Sequence, residues 1–107
     1  MPKLEYSPVA LEKIGAIYRY ITEDLHNQSG AINTVLSIRE KIDNLKTMPE
    51  LGISLSSLCD KLPDHYYDAR VLFCGKYIAF YKYDGETVKI LQIYHTKEDY
   101  INHLLDM

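Results

Sequence analysis

Cysteine is scarce in this chain of 107 residues, where Cys59 and Cys74 are the only two. Two thiols cannot build a disulfide framework, and no Cys or His spacing suits a zinc site. Both read as buried or half-buried free thiols, and nothing in the sequence calls for a metal or a cofactor. Long apolar runs are missing as well. The longest is a few residues, too short to span a bilayer, and the first residues lack the basic start and apolar core of a secretion signal. The chain is therefore expected in the cytoplasm, away from membranes. A basic excess is also absent: 12 Lys and Arg stand against 15 Asp and Glu, a net charge of −3. Proteins that grip nucleic-acid phosphates usually carry a clear positive surplus. From residue 70 onward the charges balance, with Arg70, Lys76, Lys82, Lys89 and Lys97 against Asp84, Glu86, Glu98, Asp99 and Asp106. No repeat, low-complexity tract or linker appears, so residues 1–107 are expected to form a single domain.

What is present is an ordinary globular composition, 47% hydrophobic and 25% charged, and one dominant pattern. From Arg70 to His95, β-branched and aromatic residues come in three bursts, broken at Cys74-Gly75-Lys76 and at Asp84-Gly85. This predicts a three-stranded antiparallel meander. Asp84-Gly85 is the stronger turn signal, expected as a type I′ turn with positive φ at both central residues; Gly75 marks the other turn more weakly. The alternation places Ile78 and Phe80 on one face and Tyr77, Tyr81 and Tyr83 on the other, with one face packed and the other left for function.

Ahead of the meander, Lys3 to Tyr6 reads as a short strand running into a helix. Ser7 is the expected N-cap and Pro8 the first helical residue, where its missing N–H costs nothing. Ala10, Ile14, Ile17, Ile21 and Leu25 make the helix stripe, widened by Leu11 and Tyr18. The His26 to Gly30 stretch breaks it. Ala31, Val35, Ile38, Ile42 and Leu45 then form a second amphipathic helix, ended by Thr47-Met48-Pro49, giving an antiparallel helical hairpin. Leu51 to Asp68 reads mostly as loop, with one helical turn near Ser56 to Lys61 and with Tyr66-Tyr67 either packed on the helices or lining a groove. After the meander, Thr96 and Asp99 form a capping box for a short C-terminal amphipathic helix carrying Tyr100, Ile101, Leu104 and Leu105.

The order strand, two helices, loop, three antiparallel strands, short helix resembles the RelE/ParE superfamily of toxins from bacterial type II toxin-antitoxin systems. Tyr6-Ser7-Pro8-Val9-Ala10 is similar to the family's strand exit into its first helix. Leu45 with Met48-Pro49-Glu50-Leu51-Gly52 is similar to the close of its second. Arg70-Val71-Leu72, Tyr77 to Tyr81, and Val88 to His95 with Asp99 resemble its C-terminal run. The resemblance implies an α+β fold in which an N-terminal strand and helical hairpin pack on the meander. It also implies a growth-arresting protein held inactive by a cognate antitoxin. ParE-like members are associated with inhibition of DNA gyrase, whereas RelE-like members cut mRNA in the ribosome. The long helical hairpin and the absent basic surface favour the ParE-like class. A non-toxic partner-binding module on the same fold is the third reading.

The candidate residues divide along the same line. Metal-free RNA cleavage needs a base, a cation on the phosphate and an acid for the leaving oxygen. Arg70 and His95, with Tyr94 or Tyr100, have that chemistry, and nuclease relatives place an Arg and a C-terminal His or Tyr in these regions. The alternative is that His95 only closes the last strand while Arg70 pairs with Asp68 or Asp99. Lys76 and Lys82 can contact phosphates or stand as solvated surface. Tyr81, with Tyr77, Tyr83 and Tyr94, can stack on bases, or can belong to the core or a partner interface. His26, His65 and His103 read as surface.

Overall fold

The computed structural model describes residues 1–58 and 68–98. The expected C-terminal helix, with Asp99, Tyr100 and His103, lies outside the described residues, as do Cys59, His65, Tyr66 and Tyr67. Chain order is β1 (Lys3–Tyr6), α1 (Pro8–Arg19), a π-helical turn (Tyr20–Asp24), α2 (Gln28–Asp43), a 3₁₀ turn (Asn44–Lys46), β2 (Ile53–Ser54), a second 3₁₀ turn (Leu55–Ser57), β3 (Arg70–Cys74), β4 (Tyr77–Tyr83) and β5 (Thr87–His95). The five strands form one mixed sheet in the order β1-β5-β4-β3-β2, with β1 parallel to β5 and the rest antiparallel. The meander, first strand and two helices stand where the sequence puts them; β2, two residues inside the expected loop, does not announce itself.

Ser7 does more than cap. Its hydroxyl accepts from the Ala10 N–H (3.0 Å) and donates to the Leu91 carbonyl (2.9 Å), while its own N–H donates to the Ile90 carbonyl (2.8 Å). Leu91 is the extra residue of a bulge: Tyr81 opposes Ile90 and Phe80 opposes Gln92. A bulge leaves one residue out of the ladder, and the Ser7 side chain takes up its carbonyl. One hydroxyl therefore joins the start of α1 to β5.

The helical hairpin covers one face of the sheet. Ala10 and Ile14 of α1, Ile38 and Ile42 of α2, and Leu45 bury against Leu72, Cys74, Ala79, Tyr81, Val88, Ile90 and Ile93. Leu25, placed on the same stripe by its spacing, is 55% exposed. From Tyr20 the helix widens, the Leu25 N–H bonding the Tyr20 carbonyl five residues back. A wider turn lags behind the 3.6-residue period, so Leu25 rotates off the buried stripe. His26 then reverses the chain at φ 52°, and Asn27 caps α2, its side chain accepting from the Gly30 N–H at 2.9 Å.

The expectation of one packed and one free sheet face needs correction. Tyr77, Tyr81 and Tyr83 do face the helices, but Ile78 and Phe80 on the opposite face are also buried, with Leu55, Ala69, Val71 and Tyr94. Of the two turns, the one at Gly75 stands where it is read, and the one at Asp84-Gly85 differs in type. Cys74 pairs with Tyr77 across Gly75-Lys76, and φ is positive at Gly75 (64°) but not at Lys76, the II′ pattern. Asp84 is not at positive φ, so its turn is not I′. Its carboxylate instead accepts from the Glu86 and Thr87 N–H groups, both at 2.8 Å, with Gly85 at φ 98°. That short side chain makes a longer turn by binding its own backbone.

Candidate functional site

Arg70 and His95 share a face of the sheet but not a place on it. Arg70 stands beside Tyr81 and His95 beside Tyr77. That is four residues along β4 and two strand spacings across, so their Cα atoms are roughly 16 Å apart. The structure therefore does not bring together the pair that RNA cleavage would require. Tyr94, next to His95, points to the opposite face. It is buried, its ring edge-on to Phe80 (5.6 Å between centroids), with the Lys13 ammonium 4.9 Å from its centroid. A strand turns consecutive side chains to opposite faces, so Tyr94 and His95 cannot serve one substrate atom from one side.

Each end of the meander has its own arrangement. At one end Arg70 closes a clamp on the segment leaving α2. Its guanidinium donates to the Gly52 carbonyl (2.8 Å) and, at 3.4 Å, to the Glu50 carbonyl. The Tyr81 hydroxyl donates to the Pro49 carbonyl and accepts from the Gly52 N–H, both at 2.8 Å. Tyr81 is fully buried, and burial pushes its phenol up despite the Gly52 N–H and the neighbouring Arg70 charge. Its proposed role as a base-stacking surface is thus corrected, since no face of the ring is open. Gly52 is required by contact: a Cβ there would lie 2.7 Å from the Tyr81 ring and hydroxyl and from the Val71 carbonyl. The Pro49-Glu50-Leu51-Gly52 stretch, legible as a helix ending, is half of a buried polar network whose other half lies on β3 and β4.

At the other end the site is open. His95 packs edge-on against Tyr77, centroids 5.0 Å apart, and its Nδ1 accepts from the Lys97 N–H at 3.0 Å. That bond leaves the ring proton on Nε2 in the neutral form. Tyr77, His95 and Ile93 form one wall of a cavity of about 280 Å³; Lys13, Ala16, Ile17 and Tyr20 form the other, with Glu98 at its rim. Burial raises the Tyr77 phenol, and the nearby Tyr20 and Glu98 add to the shift. Tyr20 is 53% exposed where the helix widens. Sequence reading missed Lys13, Tyr20 and Glu98: a helical tyrosine beside a stripe looks the same whether or not a cavity lies beneath it.

The two lysines also separate. Lys82 is in an ion pair with Asp68 at 3.4 Å, the partner expected for Arg70. Lys76 is exposed in its turn and borders a second cavity, between α2 and the end of β3, with Asn33, Thr34, Ser37 and Cys74. Burial holds the Cys74 thiol up to about 11, so it is not a nucleophile at neutral pH. Among the described residues no group of three His, Cys, Asp or Glu stands together, and no helix is long and apolar enough to cross a membrane.

The family described as "ParE toxin of type II toxin-antitoxin system, parDE" matches residues 4–100. Among curated proteins no sequence matches. Among solved structures, a chain of the chromosomal ParDE TA system from P. aeruginosa superposes with a TM-score of 0.71. It is 23% identical, and the match covers 89% of this chain and 96% of that one. At that identity the likeness concerns the fold: strand, helical hairpin and meander recur together.

Proposed function

Because the chain belongs to the ParE toxin family of type II toxin-antitoxin systems, we propose that it arrests growth by binding its target, DNA gyrase, and is silenced by a cognate antitoxin. On this reading it acts in the cytoplasm as a single domain over residues 1–107, and not as a ribosome-dependent nuclease. The observation that carries the choice is the separation of Arg70 from His95. The guanidinium that would neutralise a phosphate is committed to two backbone carbonyls, and the histidine that would take a proton stands at the far end of the strands. General acid–base catalysis needs its groups within hydrogen-bond reach of the same substrate. The net charge of −3 supports the same reading.

The experiment has two stages. Induced expression of the lone chain is expected to stop growth, and co-expression with the protein of the adjoining reading frame to restore it. The purified chain is then expected to block gyrase-driven supercoiling of a relaxed plasmid. Growth unaffected by expression would overturn the toxin reading. Arrest accompanied by new transcript ends at ribosome-occupied codons, with supercoiling intact, would establish the nuclease instead.

A further inference from the structure

The cavity beside Tyr20 is charged at both ends, and the proposed function gives it no occupant. Lys13 and Tyr20, both on its helical wall, are two turns apart, about 10 Å along the axis. At one end the Lys13 side chain is half-buried, its ammonium 4.9 Å from the centre of the Tyr94 ring. Among the described residues no carboxylate pairs with it. A ring face offsets part of what burial costs a cation, and an anion offsets more. At the other end stand Tyr20, Tyr77, His95 and Glu98. Tyr20 and Glu98 lie close enough to Tyr77 to raise its phenol, so two aromatic rings and a carboxylate gather there. Glu98 has no basic partner among the described residues, and rings with a carboxylate beside them are a setting that an ammonium group favours. Between the two ends, Ala16, Ile17 and Ile93 make an apolar floor. Tyr20 also opens the π-helical turn, and widened turns of this kind recur at functional sites.

A ligand that satisfies both ends carries a carboxylate and an ammonium held apart by a short apolar chain. We infer that the cavity binds a small ω-amino acid of this kind. Its carboxylate sits on Lys13, its methylenes lie over Ala16, Ile17 and Ile93, and its ammonium is held by Tyr20, Tyr77 and Glu98. An α-amino acid, with both charges on one carbon, reaches only one end at a time. A volume of about 280 Å³ is at the small end of the range for ligand cavities, which suits a molecule of this size and not a peptide. The inference does not rest on the toxin reading, because binding is read on the purified chain and not through growth.

The test titrates the purified full chain, labelled with ¹⁵N, with 6-aminohexanoate. Saturable amide shifts are expected at 13–20, 77 and 93–98, with a dissociation constant of about 1 mM, as suits a ligand this small. Its isomer 2-aminohexanoate has the same atoms with the two charges adjacent, and is expected to bind about tenfold more weakly, as are hexylamine and hexanoate, which each lack one charge. Two variants, each shown by thermal unfolding to be folded, separate the ends. Lys13→Gln is expected to weaken 6-aminohexanoate about fivefold and to leave hexylamine unmoved; Glu98→Gln is expected to weaken it by a similar factor and to leave hexanoate unmoved. Equal binding of the two isomers, unchanged affinity in both variants, shifts centred elsewhere, no saturable shift at tens of millimolar, or nuclear Overhauser contacts showing the cavity filled by residues 99–107 of the chain itself would each overturn the proposal. A chain that binds 6-aminohexanoate yet fails to arrest cells would sustain this inference while defeating the toxin reading.

Discussion

Gly52 and Tyr81 show how much of this fold depends on single atoms. The Gly52 N–H is buried and its acceptor is the Tyr81 hydroxyl. Tyr81→Phe removes that acceptor and the bond to Pro49 together, and an unsatisfied buried donor costs about 2 kcal/mol. In a domain of this size that is expected to lower the unfolding temperature by roughly 10 °C, measurable by differential scanning calorimetry. Gly52→Ala is expected to cost as much or more, because the added carbon meets backbone on one side and the tyrosine on the other. Asp84 makes a separate, pH-dependent contribution. The Thr87 and Glu86 N–H groups hold its carboxyl below the ordinary value. A depressed folded-state pKa means the stabilisation is complete above the unfolded pKa, near 3.9, and is lost as pH falls through the folded value. Because the group is fully exposed, the effect is small and local to the turn. Amide exchange at Glu86 and Thr87 is expected to speed up relative to the rest of β5 on acidification, and Asp84→Ala to abolish that difference.

Among the elements, those whose signals are local were the more legible. Ser7-Pro8 starts α1 where the sequence places it, since cap and proline act within one turn of themselves. The meander was equally clear, because three strands joined by short turns take their register from near neighbours. What could not be read was whatever depends on distant partners. Periodicity assigned Tyr77, Tyr81 and Tyr83 to one face, but the position of the helices decides that this face is covered. Arg70 looked like a phosphate ligand because nothing in its own neighbourhood shows that Gly52, eighteen residues earlier, needs it. The π turn was likewise hidden, as one extra residue in a turn leaves no mark on composition. His26 is the element-scale test of this region. It is the one non-glycine among the described residues with positive φ, at the exit of α1. His26→Gly relieves that strain and is expected to stabilise the fold by about 0.5–1 kcal/mol in urea unfolding at unchanged m-value. A loss of stability would mean that the imidazole makes contacts that outweigh its backbone cost.

At the scale of the whole molecule, the described architecture separates chemistry that sequence alone would have combined. Arg70 braces the exit from α2, Tyr94 fills the far face, Lys82 pairs with Asp68, and His95 and Lys76 border separate cavities. A sheet packed on both faces leaves its edges and the mouth beside Tyr20 as the surfaces on which a partner or target can act. The measurement that tests this most directly is growth arrest by His95→Gln, a change that keeps the ring's size and a polar edge but removes its acid–base function. With the variant shown to be folded by its unfolding temperature and expressed to the same level, arrest within twofold of the unmodified chain is the expected result. Complete loss of arrest, with restoration of normal transcript ends, would contradict the account and make His95 a catalytic residue.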